Sequence, residues 1–199
     1  MIPLYESELW RSFDLGHPGG ESVTRSLLKR SGLGEGSAIL DLCCGAGDSV
    51  SLMSELGITA AGVDRENVID YAKEKYPNLP HSVWFCEQAQ SNNQLPFEDQ
   101  TFDAVLCECS FHLLDDSAYM LDEVRRVLRE GGLFLLSDVC DGEPFDFSGF
   151  QLIDWQDETD QLKAFVARWM WETETRFPDN CRGSHYFSGI YRALSSKKE

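Results

Sequence analysis

The chain has 199 residues, with 17 basic and 34 acidic side chains and a formal net charge of −17. This length suits one compact domain whose hydrophobic core needs no disulfide or metal. The charge argues against a nucleic-acid backbone or an anionic membrane surface as partner, because both require clustered Lys and Arg. No apolar stretch approaches the roughly 20 residues of a membrane span, and residues 1–11 lack the features of a secretion signal. The 7 cysteines, an odd number, favour reduced thiols and a cytoplasmic protein.

Short apolar runs alternate with helical patterns, which is typical of a parallel sheet whose strands are joined by helices. The runs are almost continuously apolar, as expected for strands that are covered on both faces. Strands are predicted at Ala38 to Leu42, Thr59 to Val63, Val83 to Cys86, Phe102 to Cys107, Leu133 to Ser137, Phe150 to Trp155 and Tyr186 to Leu194. Helices are predicted at Glu21 to Lys29, Asp48 to Leu56, Glu66 to Lys75, Ser117 to Leu128 and Thr159 to Glu174. The pair Gly131-Gly132 is expected to end the fourth of these helices and to open the next strand.

A glycine-rich turn follows the first predicted strand, in the sequence Asp41-Leu42-Cys43-Cys44-Gly45-Ala46-Gly47-Asp48. Gly45 and Gly47 allow the backbone to turn tightly and to approach a ligand, and the next helix offers its N-terminal amides. The second strand is followed by Asp64, whose carboxylate can accept both hydroxyls of a ribose. Turns of this kind also occur without a ligand, and an ordinary surface acid is the alternative for Asp64. Val50 stands where a nicotinamide-dinucleotide fingerprint has a third small residue, which disfavours that cofactor.

Together with three further stretches, this turn gives the chain a resemblance to a known family. The stretches are Leu95-Pro96-Phe97-Glu98-Asp99-Gln100-Thr101-Phe102-Asp103-Ala104-Val105, Phe111-His112-Leu113-Leu114, and Glu123-Val124-Arg125-Arg126-Val127-Leu128-Arg129-Glu130-Gly131-Gly132. From about Ser37 to Val139, the chain resembles the class I S-adenosylmethionine-dependent methyltransferases of the small ubiquinone/menaquinone-biosynthesis-like type (methyltransferase type 11).

The resemblance implies an α/β fold with a Rossmann-like, mostly parallel seven-stranded sheet, helices on both faces and an antiparallel last strand. It implies a single methyltransferase domain over residues 1–199. Within it, 1–30 would be an N-terminal cap or lid, 37–139 the cofactor-binding core, and 140–199 the C-terminal strands and helix. Most relatives have a full helix between Asp138 and Phe150, where this chain has barely the dozen residues that a parallel crossover needs. We therefore expect that helix to be missing, with one sheet flank thin or covered by a partner chain, as in a homodimer.

The resemblance also implies a cofactor, S-adenosyl-L-methionine, and a set of residues that bind it. Asp41 and the loop from Cys43 to Gly47 would hold its methionine part, and Asp64 its ribose. Arg65 would flank the adenine, Gln88 and Ala89 would meet the adenine edge, and Glu108 would lie beside the sulfonium. The predicted cofactor-binding residues are Asp41, Cys43, Gly45, Gly47, Asp64, Arg65, Gln88, Ala89 and Glu108. Cys43 stands where the family usually has its first glycine, a replacement that is tolerable if Cys43 keeps a negative φ.

Cys109 and His112 are the candidate catalytic residues, and the methyl acceptor is expected to be a small molecule. A cysteine at position 109 also resembles arsenite methyltransferases, which use thiols near this strand end to hold the metalloid. The alternative is that the cysteines are small apolar core residues. Strand alternation places Cys107 and Cys109 on one face of the sheet and Glu108 on the other. His112 is either a base or substrate contact, or the first residue of the helix after the strand.

No metal site is predicted. Two other classes of function remain open, a non-catalytic S-adenosylmethionine- or nucleotide-binding module and an NAD-type oxidoreductase.

Overall fold

The computed structural model describes residues 16–79, 84–87, 94–177 and 184–195. Its strands are β1 Ala38–Leu42, β2 Thr59–Asp64, β3 Trp84–Glu87, β4 Phe102–Glu108, β5 Leu128–Cys140, β6 Phe150–Asp157 and β7 His185–Ala193. Its helices are α1 Gly20–Ser31, α2 Asp48–Glu55, α3 Glu66–Lys75, α4 Ser117–Val127 and α5 Thr159–Thr173, with a single 3₁₀ turn at Phe111–Leu113. Every described helix and strand overlaps a predicted one, because hydrophobic periodicity marks each of them locally.

The strands form one mixed sheet in the order β3-β2-β1-β4-β5-β7-β6. Strand β7 pairs antiparallel with β5 and β6, whereas the other neighbouring pairs are parallel. The predicted α/β class and the mostly parallel sheet are therefore confirmed. After β1 the chain adds β2 and β3 on one side of that strand, and β4 then starts on the other side. The strand order therefore reverses between β1 and β4. In open α/β sheets, ligands bind at such a switch point, outside the carboxyl ends of the strands.

Two hydrophobic layers cover the sheet. On one face, which we call the α1/α2 face, strand residues such as Ile39 and Leu106 pack with helices α1, α2 and α3. On the other, the α4 face, strand residues such as Leu40 and Cys107 pack with α4. Because successive side chains of a strand alternate between faces, Asp41 and Glu108 belong to the α1/α2 face. The predicted separation of Cys107 from Glu108 is confirmed.

As predicted, the connection between β5 and β6 contains no helix. Residues 141–149 instead run along the α4 face, and two of their aromatic side chains fill the flank. The ring centroid of Phe147 lies 5.3 Å from that of Phe111 and 5.0 Å from that of Tyr191, while Phe145 lies 5.6 Å from Phe187. This flank is therefore covered by the chain's own loop.

The prediction that Gly131-Gly132 ends a helix is wrong. Helix α4 ends earlier, at Val127, and both glycines lie inside β5. Phe102 of β4 pairs with Leu128, but Ala104, two residues later, pairs with Leu133, so β5 bulges outward between these pairs. Gly131 has a φ of 71°, a left-handed conformation that such a bulge uses and that glycine adopts without strain.

Replacing Gly132 by alanine is expected to lower the free energy of unfolding by about 1–3 kcal/mol. A Cβ atom there would lie 2.9 Å from the carbonyl oxygen of Arg129 and 3.2 Å from that of Asp103, and neither backbone atom can move without disturbing the bulge. Denaturant unfolding measures the change. Gly34→Ala is the control, because its Cβ would meet no atom within 4 Å. Equal stabilities of the two variants would contradict the close packing at Gly132.

Helix α5 is amphipathic. It buries Leu162, Phe165 and Trp169 at three- and four-residue spacing, while Met170 and Trp171 are exposed. Among the described residues, no helix is long and apolar enough to cross a membrane.

Candidate active site

Asp64 joins the first two strand–turn–helix corners at the carboxyl edge of the sheet. One of its carboxylate oxygens accepts a hydrogen bond from the backbone N–H of Gly45 at 2.9 Å, and the other accepts one from the N–H of Arg65 at 2.8 Å. The N–H of Cys44 also bonds the carbonyl of Val63 at 3.1 Å, which draws the glycine loop against the end of β2. The structure therefore brings the predicted loop and the predicted ribose acid together.

The glycine loop is left-handed at three positions. Cys43, Gly45 and Gly47 have φ values of 62°, 54° and 84°. The condition of a negative φ at Cys43 is not met: the chain turns sharply after Leu42, and a residue with a side chain adopts this conformation at a cost of roughly 1–2 kcal/mol. The Cys43 side chain contacts Cys107, and this hydrogen bond, together with burial, raises the pKa of the Cys107 thiol well above its usual value.

Asp41 is a buried acid with no compensating partner. Its side chain is 3% exposed, and within the described part of the chain no donor forms a hydrogen bond to its carboxylate. Burial, followed by the negative charges of Glu108, Asp64 and Asp48, raises its pKa well above the usual value. An isolated buried carboxylate is costly unless it is protonated or paired with a cation, so this position favours a positively charged ligand group.

Glu108 is the second buried acid, and hydroxyl groups surround it. It is 8% exposed and accepts hydrogen bonds from Thr24 at 3.0 Å and Ser49 at 2.7 Å, which lie in α1 and α2, with Ser137 of β5 at 3.5 Å. These contacts hold its carboxylate at the carboxyl edge of the sheet, on the α1/α2 face.

Two further side chains extend this cluster. The Nε2 atom of His17, in the segment before α1, lies 3.4 Å from a Glu108 oxygen and forms an ion pair with it when the imidazole is protonated. The hydroxyl of Tyr186 in β7 donates to Ser137 at 3.0 Å, and burial raises the pKa of that phenol well above its usual value. Only His17 was singled out from the sequence, as part of a lid. Hydroxyl groups in an amphipathic helix or strand give no signal of a distant acid.

Strand β4 ends at Glu108, and the next two residues turn sharply. Cys109 has a φ of 53° and donates its backbone N–H to the carbonyl of Ser137 at 2.7 Å. Ser110 donates its hydroxyl to the Glu108 carbonyl at 3.0 Å. Cys109 is half-buried, beside the buried acid but outside the strand.

His112 lies in the 3₁₀ turn after β4 and is held by Asp138 at the end of β5. Its Nδ1 atom is 2.5 Å from one Asp138 oxygen, and its backbone N–H donates to the other at 3.0 Å. Asp138 is fully buried, whereas 24% of the His112 side chain is exposed. The pairing of Asp138 with His112 was not predicted from the sequence.

The remaining predicted positions divide into two groups. Arg65 precedes α3 and is exposed, beside the Asp64 carboxylate. Gln88 and Ala89, as well as the part of the predicted lid before residue 16, lie outside the described residues. The described part of the chain contains no cluster of three or more His, Cys, Asp or Glu side chains that could hold a metal ion.

Comparison with known proteins gives one family and one group of relatives. Residues 40–136 match the family described as "Methyltransferase domain". The demethylmenaquinone methyltransferase of Staphylococcus aureus (strain JH9) is 33% identical over 113 residues, which cover 55% of this chain and 46% of that protein. The chain thus spans about half the length of the curated relatives that it matches.

Solved structures with the same fold are more distant in sequence. The [4+2]-cyclase SpnF superposes with a TM-score of 0.72 at 19% identity, over 87% of this chain and 81% of that one. The phosphoethanolamine N-methyltransferase 2 of Haemonchus contortus, solved with S-adenosyl-L-methionine, has a TM-score of 0.70 at 19% identity, over 90% of this chain and 54% of that one. The resemblance found in the sequence is confirmed, since residues 40–136 of this chain match the methyltransferase domain family.

Proposed function

We propose that this chain binds S-adenosylmethionine and transfers its methyl group to a small-molecule acceptor, with release of S-adenosylhomocysteine. The observation that carries the proposal is Asp41, a buried carboxylate with no hydrogen-bond donor among the described residues and with Glu108 and Asp64 as negative neighbours. The cofactor presents an ammonium and a sulfonium, two cations that suit this position. When bound, it supplies a methyl group that is already activated by the positive sulfur.

The residues of the core at 37–139 would divide this ligand among them. Asp41 and Glu108 face its cationic methionine end, and the left-handed turn at Gly45 and Gly47 leaves room for its backbone contacts. Asp64 would meet the ribose hydroxyls from the end of β2, where its carboxylate also accepts hydrogen bonds from two backbone amides. Arg65 and the segment with Gln88 and Ala89 would receive the adenine.

The same charges favour turnover. Asp41 and Glu108 attract a positive sulfur more strongly than a neutral one, because electrostatic interactions are strong in a buried site. After transfer the sulfur is a neutral thioether, so these acids hold the product less tightly than the substrate. The walls of the site position the reactants and exclude water, which is the main task for a methyl group that needs no further activation.

An NAD-type oxidoreductase fits the site less well. A dinucleotide pyrophosphate binds at the N-terminus of the helix after the glycine loop. Here that helix, α2, begins with Asp48, and Asp41 and Asp64 lie close enough for their charges to interact. These acids would repel a pyrophosphate.

A site that binds the cofactor without methyl transfer is the second candidate. The [4+2]-cyclase SpnF shares this fold at a TM-score of 0.72, and its name describes a reaction other than methyl transfer. The fold alone therefore does not fix the reaction. Release of S-adenosylhomocysteine with a panel of acceptors separates an enzyme from a binding module.

Asp64→Ala is expected to weaken S-adenosylmethionine binding by about 1–3 kcal/mol, because the ribose hydroxyls and the Gly45 amide lose an acceptor. Titration calorimetry with S-adenosylmethionine and with NAD measures this. Asp70→Ala, on the exposed side of α3, is the matched control and should bind as the wild type does. Unchanged affinity in Asp64→Ala would refute its role, and tight NAD binding without S-adenosylmethionine binding would refute the proposed function.

A further inference from the structure

Both carboxylate oxygens of Asp138 contact His112, one at its backbone and the other at its imidazole. One Asp138 oxygen accepts the backbone N–H of His112 at 3.0 Å, which fixes the start of the 3₁₀ turn. The other lies 2.5 Å from Nδ1 and also accepts the N–H of Val139 at 2.7 Å. Since both oxygens are held by backbone amides and Asp138 is fully buried, the carboxylate cannot rotate away from the ring.

This contact determines which imidazole nitrogen carries the proton. An ionised carboxylate only accepts hydrogen bonds, so Nδ1 must be the donor in the neutral ring. Nε2 then keeps its lone pair. The His112 side chain is 24% exposed at the carboxyl edge of the sheet, in the segment that directly follows Glu108, Cys109 and Ser110. A partner on one nitrogen that leaves a basic nitrogen on the other is the arrangement of a general base.

Three titratable groups near Asp138 are neutral. They are Cys107 in β4, Cys140 in β5 and Tyr186 in β7. The hydrogen bond between Cys107 and Cys43, together with burial, raises the pKa of Cys107, burial raises the pKa values of Cys140 and Tyr186, and the charge of Asp138 adds to each shift. Glu108 also acts on Tyr186, and Asp141 and Asp157 act on Cys140. None of the three neutral groups adds a charge next to the His112–Asp138 contact.

We propose that His112 is the general base of this site, that Asp138 is its positioning residue, and that the methyl acceptor presents a hydroxyl group. The proposal rests on the methyl transfer proposed above. Nε2 takes the proton of the acceptor O–H, and the O–H bonding pair remains on oxygen. Oxygen forms the new O–C bond to the methyl group as the C–S bond breaks, and its electron pair stays on sulfur. His112 later releases the proton to water, so the reaction yields a methyl ether, S-adenosylhomocysteine and one proton.

The chemistry of the acceptor follows from the need for a base. A phenolic or alcoholic hydroxyl keeps its proton near neutral pH, since even a tyrosine hydroxyl has a pKa of about 10, so it gains most from His112. Thiols ionise closer to neutral pH and a metalloid attacks with its own lone pair, so neither needs a base. A carboxylate acceptor is already ionised, and the charges of Asp138 and Glu108 would repel it.

The first test reads the imidazole directly and needs no acceptor. Long-range ¹H–¹⁵N NMR of the cofactor-free protein, with His112→Gln to assign the signal, should show a neutral His112 protonated on Nδ1. In Asp138→Asn that preference should be lost. A His112 protonated on Nε2 in the wild type would overturn the proposal, as would a tautomer preference that Asp138→Asn leaves unchanged.

The second test measures turnover with three probes, catechol for a hydroxyl, 2-mercaptoethanol for a thiol, and arsenite. Methylation of catechol is expected, with kcat lower by about 10²–10⁴-fold in His112→Gln and S-adenosylmethionine affinity within twofold of the wild type. Asp138→Asn should lower kcat more than it raises KM, a split that a purely structural role would not produce. Asp122→Asn, on the exposed side of α4, should match the wild type.

The outcomes separate this inference from the proposed function. Turnover of 2-mercaptoethanol or arsenite that survives His112→Gln but not Cys109→Ser would overturn the hydroxyl acceptor and leave methyl transfer intact. Failure of calorimetry to detect S-adenosylmethionine would refute the proposed function, whereas the NMR result on the His112–Asp138 pair would stand by itself.

Discussion

Glu108→Ala is expected to lower the free energy of unfolding by about 3–5 kcal/mol. The substitution removes the acceptor of the buried Thr24 and Ser49 hydroxyls and leaves His17 without its acid. A loss of this size corresponds to a fall in Tm of about 2–4 °C for each kcal/mol in a protein of this length. Denaturant unfolding followed by circular dichroism measures it.

Glu108→Gln is the matched variant. It keeps one oxygen for the hydroxyls and fills the same volume, so its loss of stability should be well below that of Glu108→Ala. It nevertheless removes a negative charge from the proposed cationic end of the cofactor site, and S-adenosylmethionine affinity should fall. A stability of Glu108→Ala within 1 kcal/mol of the wild type would contradict the role of Glu108 in joining α1, α2 and β4.

Asp41→Asn is expected to act in opposite directions on stability and on binding. The free energy of unfolding of the cofactor-free protein should rise by about 1–3 kcal/mol at neutral pH, because a neutral amide replaces a buried acid that accepts no hydrogen bond from the described residues. Affinity for S-adenosylmethionine should fall by about 2–4 kcal/mol, because the ammonium loses its carboxylate. Such a trade-off is common where a site is built for its ligand.

The difference in stability between Asp41→Asn and the wild type should increase with pH. In the unfolded chain, the Asp41 carboxyl loses its proton at its usual pKa of 3.8, whereas the folded protein holds that proton to higher pH. The folded state therefore binds more protons, and its stability declines as the pH rises from 3.8 through the raised folded-state pKa. Asparagine does not titrate. The stability gain of Asp41→Asn should thus be absent below pH 3.8 and increase above it.

Unfolding curves at several pH values and calorimetry with S-adenosylmethionine test the two halves of this prediction. Asp70→Asn, an exposed acid on α3, serves as the control for charge alone. If Asp41→Asn destabilises the cofactor-free protein at neutral pH, the carboxylate already has a stabilising partner and does not need a cationic ligand.

The sequence was most informative where the signal was local. Almost continuously apolar runs located the strands, and apolar residues at three- and four-residue spacing located the helices, because each element must bury its own apolar surface. The glycine loop and Asp64 also gave a local signal, because a tight turn at a strand end requires particular residues in a row. Gly131-Gly132 was misread because a pair of glycines serves a helix end and a strand bulge equally well, and only the pairing of β4 with β5 distinguishes them.

The sequence predicted the candidate site only in part. Asp41 and Glu108 were selected by position, but their difference was invisible: one lacks a donor among the described residues and the other accepts three hydroxyl contacts. Thr24 lies 84 positions from Glu108, and Ser49 lies 59 positions from it. No pattern within α1 or α2 records that the chain returns to meet these hydroxyls.

By itself, the sequence determined the α/β class, the alternation of strands and helices, the family of residues 40–136 and the position of the glycine loop. Each depends on residues that are neighbours in the chain. Only the tertiary structure decided the left-handed turn at Cys43, the loop that covers the flank at 141–149, and the pairing of His112 with Asp138 across 26 positions. These features depend on where strand ends meet, and that is fixed by the order and register of the whole sheet.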